Sequence, residues 1–192
     1  VQAPLGLVSN TLLIPLLPTF VRLKQQENRR ELIKLINQSL IFSSITMIAL
    51  AAIFISLNEP IIDLVYGRGA FDNKAIAIVS NLLIAYSIGM PSYLARDLLV
   101  RVFYGLGEAK IPFKISAIGI ILNFLFDWLF VGSPSPWGHL SNFNLGSSGL
   151  VYATVTVNLI SCIILLLKLN SKLKLLPIKK IAMQQIKLIF SG

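Results

Sequence analysis

Charge is what this sequence has least of. Asp, Glu, Lys and Arg make up 13% of its 192 residues, where a soluble domain carries about a quarter, and its apolar residues are too seldom interrupted to leave one face of each element wet. A soluble enzyme and a disordered chain are excluded on that ground. Cysteine occurs once, at Cys162, so no bridge can form within the chain; a disulfide scaffold is excluded, and in an apolar run the thiol reads as a small core residue. Histidine also occurs once, in another segment. The pair therefore offers neither a nucleophile triad nor a metal-ligand spacing. The eight acidic residues include no close aspartate cluster of the kind that would hold magnesium for prenyl transfer. Nothing here reads as an enzyme or as a cofactor site. A basic n-region ahead of the first apolar run is missing too, so no secretory signal is visible. With Val1 in place of a methionine, the chain reads as part of a longer one.

What is abundant is uninterrupted apolar sequence, 55% of the chain. Leu35 to Asn58, Ala75 to Ala95 and Leu140 to Leu167 hold no Asp, Glu, Lys or Arg over 24, 21 and 28 residues, and about 20 suffice to cross a ~30 Å hydrocarbon core. With the charges as punctuation, five spans are predicted: Ala3 to Val21, Leu35 to Leu57, Lys74 to Tyr104, Pro112 to Val131 and Gly149 to Leu167. A further apolar stretch, Ile181 to Phe190, is too short to cross alone. The predicted fold is all-α, a polytopic membrane bundle over residues 1–170, with a basic linker and the start of another helix over 171–192.

The net charge of +9 is distributed by membrane side. Arg22 to Lys34 holds five basic residues, Arg96 to Lys114 four and Lys168 to Lys180 five, which is 14 of the 17. The alternate connections hold two, Arg68 and Lys74. Basic residues mark the cytoplasmic side, so the spans alternate, the first running inward, with membrane lipids as their neighbours. Nucleic-acid binding would need these side chains gathered on one face. The stretch Arg22 to Lys34 reads as a solvated inner-surface linker, at most briefly helical, attracted to anionic lipid.

Punctuation residues support the boundaries. Pro60, Gly67 and Gly69 break the chain between the second and third spans, with Asp72 placed to cap the next helix. The Gly67-Arg68-Gly69 element lacks the strand and the Gly-Lys-Ser/Thr of a phosphate loop and reads as a turn. Pro112 suits a first helical turn, and Trp128 and Trp137 suit the outer interface. Pro4, Pro15 and Pro18 free backbone carbonyls in the first span; they mark either packing inside a bundle or a plain kink.

Two sets of polar residues in the spans could carry function. Asn123 and Asp127, four apart, project from one face of the fourth span, and an aspartate at that depth marks an ion path, a proton relay or a buried pairing. Thr154 lies at a similar distance below the outer boundary, roughly 6–8 Å at 1.5 Å per residue. With the carbonyl of Leu150 one turn earlier, these form an oxygen-only set suited to a hard cation. The alternative is a snorkelling Asp127 and a helix-bridging Asn123. Arg96, Asp97 and Arg101 lie toward the inner end of the third span. Asp97 and Arg101 could pair within the helix, or Arg96 or Arg101 could face a cavity and attract an anionic headgroup.

Three stretches resemble the MurJ/MviN lipid II flippases of the multidrug/oligosaccharidyl-lipid/polysaccharide exporter superfamily: Pro4-Leu5-Gly6-Leu7 running to Leu13-Ile14-Pro15-Leu16-Leu17, the loop Tyr66-Gly67-Arg68-Gly69-Ala70-Phe71-Asp72, and Arg101-Val102-Phe103-Tyr104-Gly105-Leu106-Gly107-Glu108-Ala109-Lys110-Ile111-Pro112-Phe113-Lys114-Ile115. The last departs mildly from the family pattern, with Gly105 for Ala and Glu108 for Asp. The resemblance covers Val1 to about Leu167. It implies a bundle of about fourteen helices, two lobes of six around a central cavity followed by two more, in which these spans resemble helices eight to twelve and a thirteenth begins near Ile181. It implies export of an undecaprenyl-pyrophosphate-linked peptidoglycan precursor from the inner to the outer leaflet of a plasma (inner) membrane by alternating access. It also implies a coupling-cation site, for sodium or a proton, at positions corresponding to Asn123, Asp127 and Thr154. A related polysaccharide-lipid or drug exporter, or a non-transporting membrane scaffold, are the competing readings.

Overall fold

The computed structural model describes residues 2–66, 73–131 and 145–173. The expected Arg68 loop with its Asp72 cap, Trp137 and His139, and the stretch from Ile181 lie outside the described residues. Within them the chain is helical: α1 (Gln2–Leu13), α2 (Leu16–Gln25), α3 (Arg29–Ser56), α4 (Asn58–Tyr66), α5 (Asn73–Gly105), α6 (Lys110–Val131) and α7 (Ser147–Leu173). Five helices are long and apolar enough to cross a membrane, matching the five predicted spans one for one.

Three local details differ from expectation. The first span is broken at Ile14–Pro15. Pro18 has no N–H for the Ile14 carbonyl, which accepts instead from Leu17 N–H at 3.3 Å, so the proline pair divides the span into α1 and α2. Pro60 does not end structure; it sits in the first turn of α4, a short helix where a loop was expected. The basic stretch Arg22 to Lys34 is mostly helix, with only Gln26, Glu27 and Asn28 between α2 and α3. Asn28 caps α3, its side chain accepting from Glu31 N–H at 3.3 Å.

The two turns at the basic end close in the same way. After α2, Asn28 N–H reaches the Leu23 carbonyl and Glu27 N–H the Lys24 carbonyl; after α5, Glu108 N–H reaches Phe103 and Gly107 N–H reaches Tyr104. Both are Schellman closures, which need a left-handed residue just past the helix. Gly107 supplies it at φ 73° and Glu27 at φ 53°. Polar contacts then tie the connections together: Lys24 Nζ donates to the Leu106 carbonyl, Lys172 pairs with Glu108, and Arg29 donates to the Lys172 and Leu173 carbonyls at 3.2 and 2.6 Å. The three basic connections read from the sequence thus meet at one end of the bundle.

The long α5 is the spine. It packs between α3 and α7, with α1, α2 and α4 also against it, while α6 leans mainly on α7. Its buried residues include Met90, Leu94, Leu98, Val102 and Phe103, meeting Ile36, Leu40 and Met47 of α3 and Leu165 and Leu169 of α7. Small residues allow close approach where the solvent offers no hydrophobic drive: a Cβ on Gly89 would come 2.6 Å from Val155 Cγ2. Pro91 lies two residues further on inside α5. Outwardly, Ile120 and Phe124 of α6 are exposed apolar surface, as expected of helices that face lipid or further protein.

Candidate functional site

Between α5, α6 and α7 lies a cleft of about 490 Å³ that brings together Arg96, Ser116, Asn123, Asp127, Thr154 and Asn158. Three of the four oxygen-bearing residues predicted for a cation therefore line one space. Asp127 is four residues before the end of α6, and Thr154 is seven into α7, whose start at Ser147 precedes the expected one; at 1.5 Å per residue their depths are roughly 6 and 10 Å. Antiparallel helices make this possible. Leu145 N–H donates to the Phe130 carbonyl at 3.1 Å, which holds the end of α6 to the start of α7.

The hydrogen bonds leave a carboxylate oxygen unsatisfied. Asn123 Nδ2 donates to Asp127 Oδ2 at 2.8 Å, while Asp127 Oδ1 is buried without a partner. Leaving such an oxygen unmatched costs about 1–3 kcal/mol or more when charged. The predicted Leu150 carbonyl accepts from Thr154 Oγ1 at 2.9 Å. By giving its proton to that carbonyl, the Thr154 hydroxyl keeps its lone pairs for another partner. Asn158, one turn on, donates to the Thr154 carbonyl at 2.8 Å and is 9% exposed.

The arginines part company. Five residues separate Arg96 from Arg101, which turns them about 140° apart around α5. Arg96 lines the cleft and donates to Ser116 Oγ at 3.0 Å, its Nε buried without a partner. Arg101 faces α1: it pairs with Asp97 at 3.3 Å, reaches Ser9 Oγ at 3.4 Å, and Ser9 in turn donates to Asp97. The intrahelical Asp97–Arg101 pair is present, enlarged by a serine from another helix.

Ser116 and Asn158 were missed by sequence reasoning. Asn158 had a usable signal, since it stands four after Thr154 as Asp127 stands four after Asn123. Ser116 had none, because its role depends on α5 lying beside α6. Among the described residues there is no group of three or more His, Cys, Asp or Glu able to hold a metal; any cation here would rely on one carboxylate with neutral oxygens, which suits a weakly held hard ion.

Comparison with known proteins gives these features a family. A family model described as Lipid II flippase MurJ matches residues 1–191. A relative from Synechocystis sp. described as a probable lipid II flippase MurJ is 44% identical over 97% of this chain and 33% of its own. The lipid II flippase MurJ of Thermosipho africanus is 33% identical over 54% of this chain and 22% of its own. A solved structure of lipid II flippase MurJ in an inward closed conformation superimposes with a TM-score of 0.69 at 26% identity, covering 99% of this chain and 38% of that one. The chain spans about a third of the length of the first of these relatives. Five apolar helices, the matching fold and a family match over nearly every residue lead to one assignment: this chain belongs to the lipid II flippase MurJ family.

Proposed function

We propose that this chain is part of the transport machinery of a lipid II flippase, and that it contributes one cation site and cavity charge to that machine. The cargo is the undecaprenyl-pyrophosphate-linked peptidoglycan precursor, moved across a bacterial inner membrane from the cytoplasmic to the outer leaflet. No bond in the cargo is made or broken, so the protein acts as a transporter and not as an enzyme. Its helices α1 to α7 form most of one lobe of an alternating-access pair.

The observation that carries the reading is the unmatched Asp127 Oδ1 in a cleft with Asn123 and Thr154. A sodium ion or a proton at Asp127 would neutralise the charge and satisfy that oxygen, with Asn123 and the Thr154 hydroxyl as the neutral ligands and the Leu150 carbonyl, which accepts the Thr154 proton, orienting that hydroxyl. Such a group stabilises whichever lobe arrangement brings these oxygens closest, which is how an ion gradient biases a two-state equilibrium. Arg96, in the same cleft, supplies a fixed positive charge for an anionic headgroup through paired donors; Arg101 does so if its Asp97 pairing opens.

The test uses the full-length protein. It should restore wall synthesis in a flippase-depleted bacterium, and Asp127→Asn should lower lipid II translocation in vesicles by at least about tenfold. Failure to complement would point to another lipid-linked cargo. Translocation unchanged in Asp127→Asn would remove the cation role and leave the cargo assignment standing.

A further inference from the structure

On the other side of the α6–α7 contact a second groove, of about 390 Å³, runs from Lys114 and Lys168 along Ile115, Ile118, Leu122, Ile160 and Ile164. Lys114 is four residues from the start of α6 and Lys168 five from the end of α7. At 1.5 Å per residue the two ammonium-bearing side chains leave their helices at nearly one depth, roughly 6–8 Å from the basic end. Both are exposed, and neither makes an ion pair or hydrogen bond with a described residue. Leu122 lies eight residues further along α6 than Lys114, about 12 Å deeper, so the floor stays apolar from the headgroup level toward the bilayer middle.

We propose that this groove binds one anionic phospholipid of the cytoplasmic leaflet, its phosphate held between Lys114 and Lys168 and one acyl chain laid along the isoleucines. Charge decides the occupant. Two uncompensated lysines converging at headgroup depth over an apolar trough match a molecule that is anionic at one end and hydrocarbon at the other. Basic pockets between membrane helices on that side hold such headgroups. A neutral helix from elsewhere in the protein would fill the trough and leave both charges without a partner. Lysines that merely snorkel would not need to share one groove. The site shares Gly119 and Ser161 with the cation cleft, so a bound lipid would brace the helix pair from the side opposite Asp127.

The test is native mass spectrometry of the purified full-length protein with phosphatidylglycerol and, separately, phosphatidylcholine. Phosphatidylglycerol should be retained preferentially, and Lys114→Gln with Lys168→Gln should weaken it about 5-fold per lysine, as expected for roughly one Lys–headgroup contact each, while Lys114→Arg with Lys168→Arg retains it. Ile118→Trp with Ile164→Trp, which fills the trough and spares the lysines, should weaken retention as well. Equal retention of the two lipids, an equal loss from Arg30→Gln with Lys34→Gln, or displacement by inorganic phosphate would overturn the proposal in favour of diffuse charge or a bare anion site. A photo-crosslinker at position 118 that captures another helix of the protein in place of lipid would overturn it too. The lipid comparison on the wild-type protein keeps the proposal decidable if a variant fails to fold. None of these readouts involves transport, so they stand apart from the flippase reading.

Discussion

Ser9, Asp97 and Arg101 are a compact case of polar groups in a membrane protein satisfying one another. Ser9 is 7% exposed and its hydroxyl donates to Asp97 while standing 3.4 Å from Arg101. Hydrogen bonds between membrane helices average about 0.6 kcal/mol, so Ser9→Ala should cost the purified full-length protein about that much in thermal melting. Asp97→Asn removes the only carboxylate paired with Arg101 among the described residues. Because the Asp97 side chain is 41% exposed and that of Arg101 19%, the full penalty of a buried broken pair does not apply, and a cost of about 1–2 kcal/mol is expected. If Ser9→Ala proves the more damaging of the two, the arginine is held by something other than its aspartate. At this scale the sequence was half informative. Asp97 and Arg101 announce themselves by spacing, as do Asn123 and Asp127. Ser9 and Ser116 do not, since a serine in a span can equally bond its own helix, as Ser87 does with the Leu83 carbonyl at 2.7 Å.

Elements were legible where the signal is transfer free energy and illegible where it is geometry. All five spans follow from hydropathy because a window of apolar residues measures what the bilayer measures. These two helices were drawn too short because charge marks the water boundary, whereas the hydrogen-bond ladder continues past it: α3 starts at Arg29 and α7 runs to Leu173, both beyond their apolar runs. The α1–α2 break and the α4 helix depend on where prolines fall relative to a helix start, which spacing alone leaves open. The paired Schellman turns offer a direct test. A β-carbon in the left-handed region costs roughly 1 kcal/mol or more, and the nearest atom to a Cβ on Gly107 is the mobile Lys24 Nζ at 3.1 Å, so backbone strain should dominate there. Gly107→Ala should lower stability by about 1 kcal/mol and Glu27→Gly should raise it by up to about the same, read as opposite shifts in melting temperature. Shifts of one sign would mean that the two turns are not equivalent.

For the whole molecule, what orders the bundle is the end that carries the charge. Apolar packing along α3, α5 and α7 does not by itself choose a register between helices, because lipid is as apolar as the core. The contacts among Lys24, Arg29, Glu108 and Lys172 do choose one, joining the α2–α3 turn, the α5–α6 turn and the last turn of α7. The Lys172 and Glu108 side chains are 41% and 34% exposed, so their coupling is that of a screened surface pair. A double-mutant cycle with Glu108→Gln and Lys172→Met should give about 0.2–1 kcal/mol, shrinking as salt is raised; a coupling that ignores salt would place the pair in a drier setting than its exposure implies.

The Arg29 cap also has a consequence for how the molecule is made. Its guanidinium closes the last turn of α7 from 144 positions earlier in the chain. A ribosome working at roughly 5–20 residues per second needs about 7–30 s to cover that distance, and for that interval Arg29 stands at the membrane surface with its acceptors not yet synthesised. The first four spans therefore enter the bilayer with the basic end of the bundle still open, and that end closes only when the fifth span arrives to be capped.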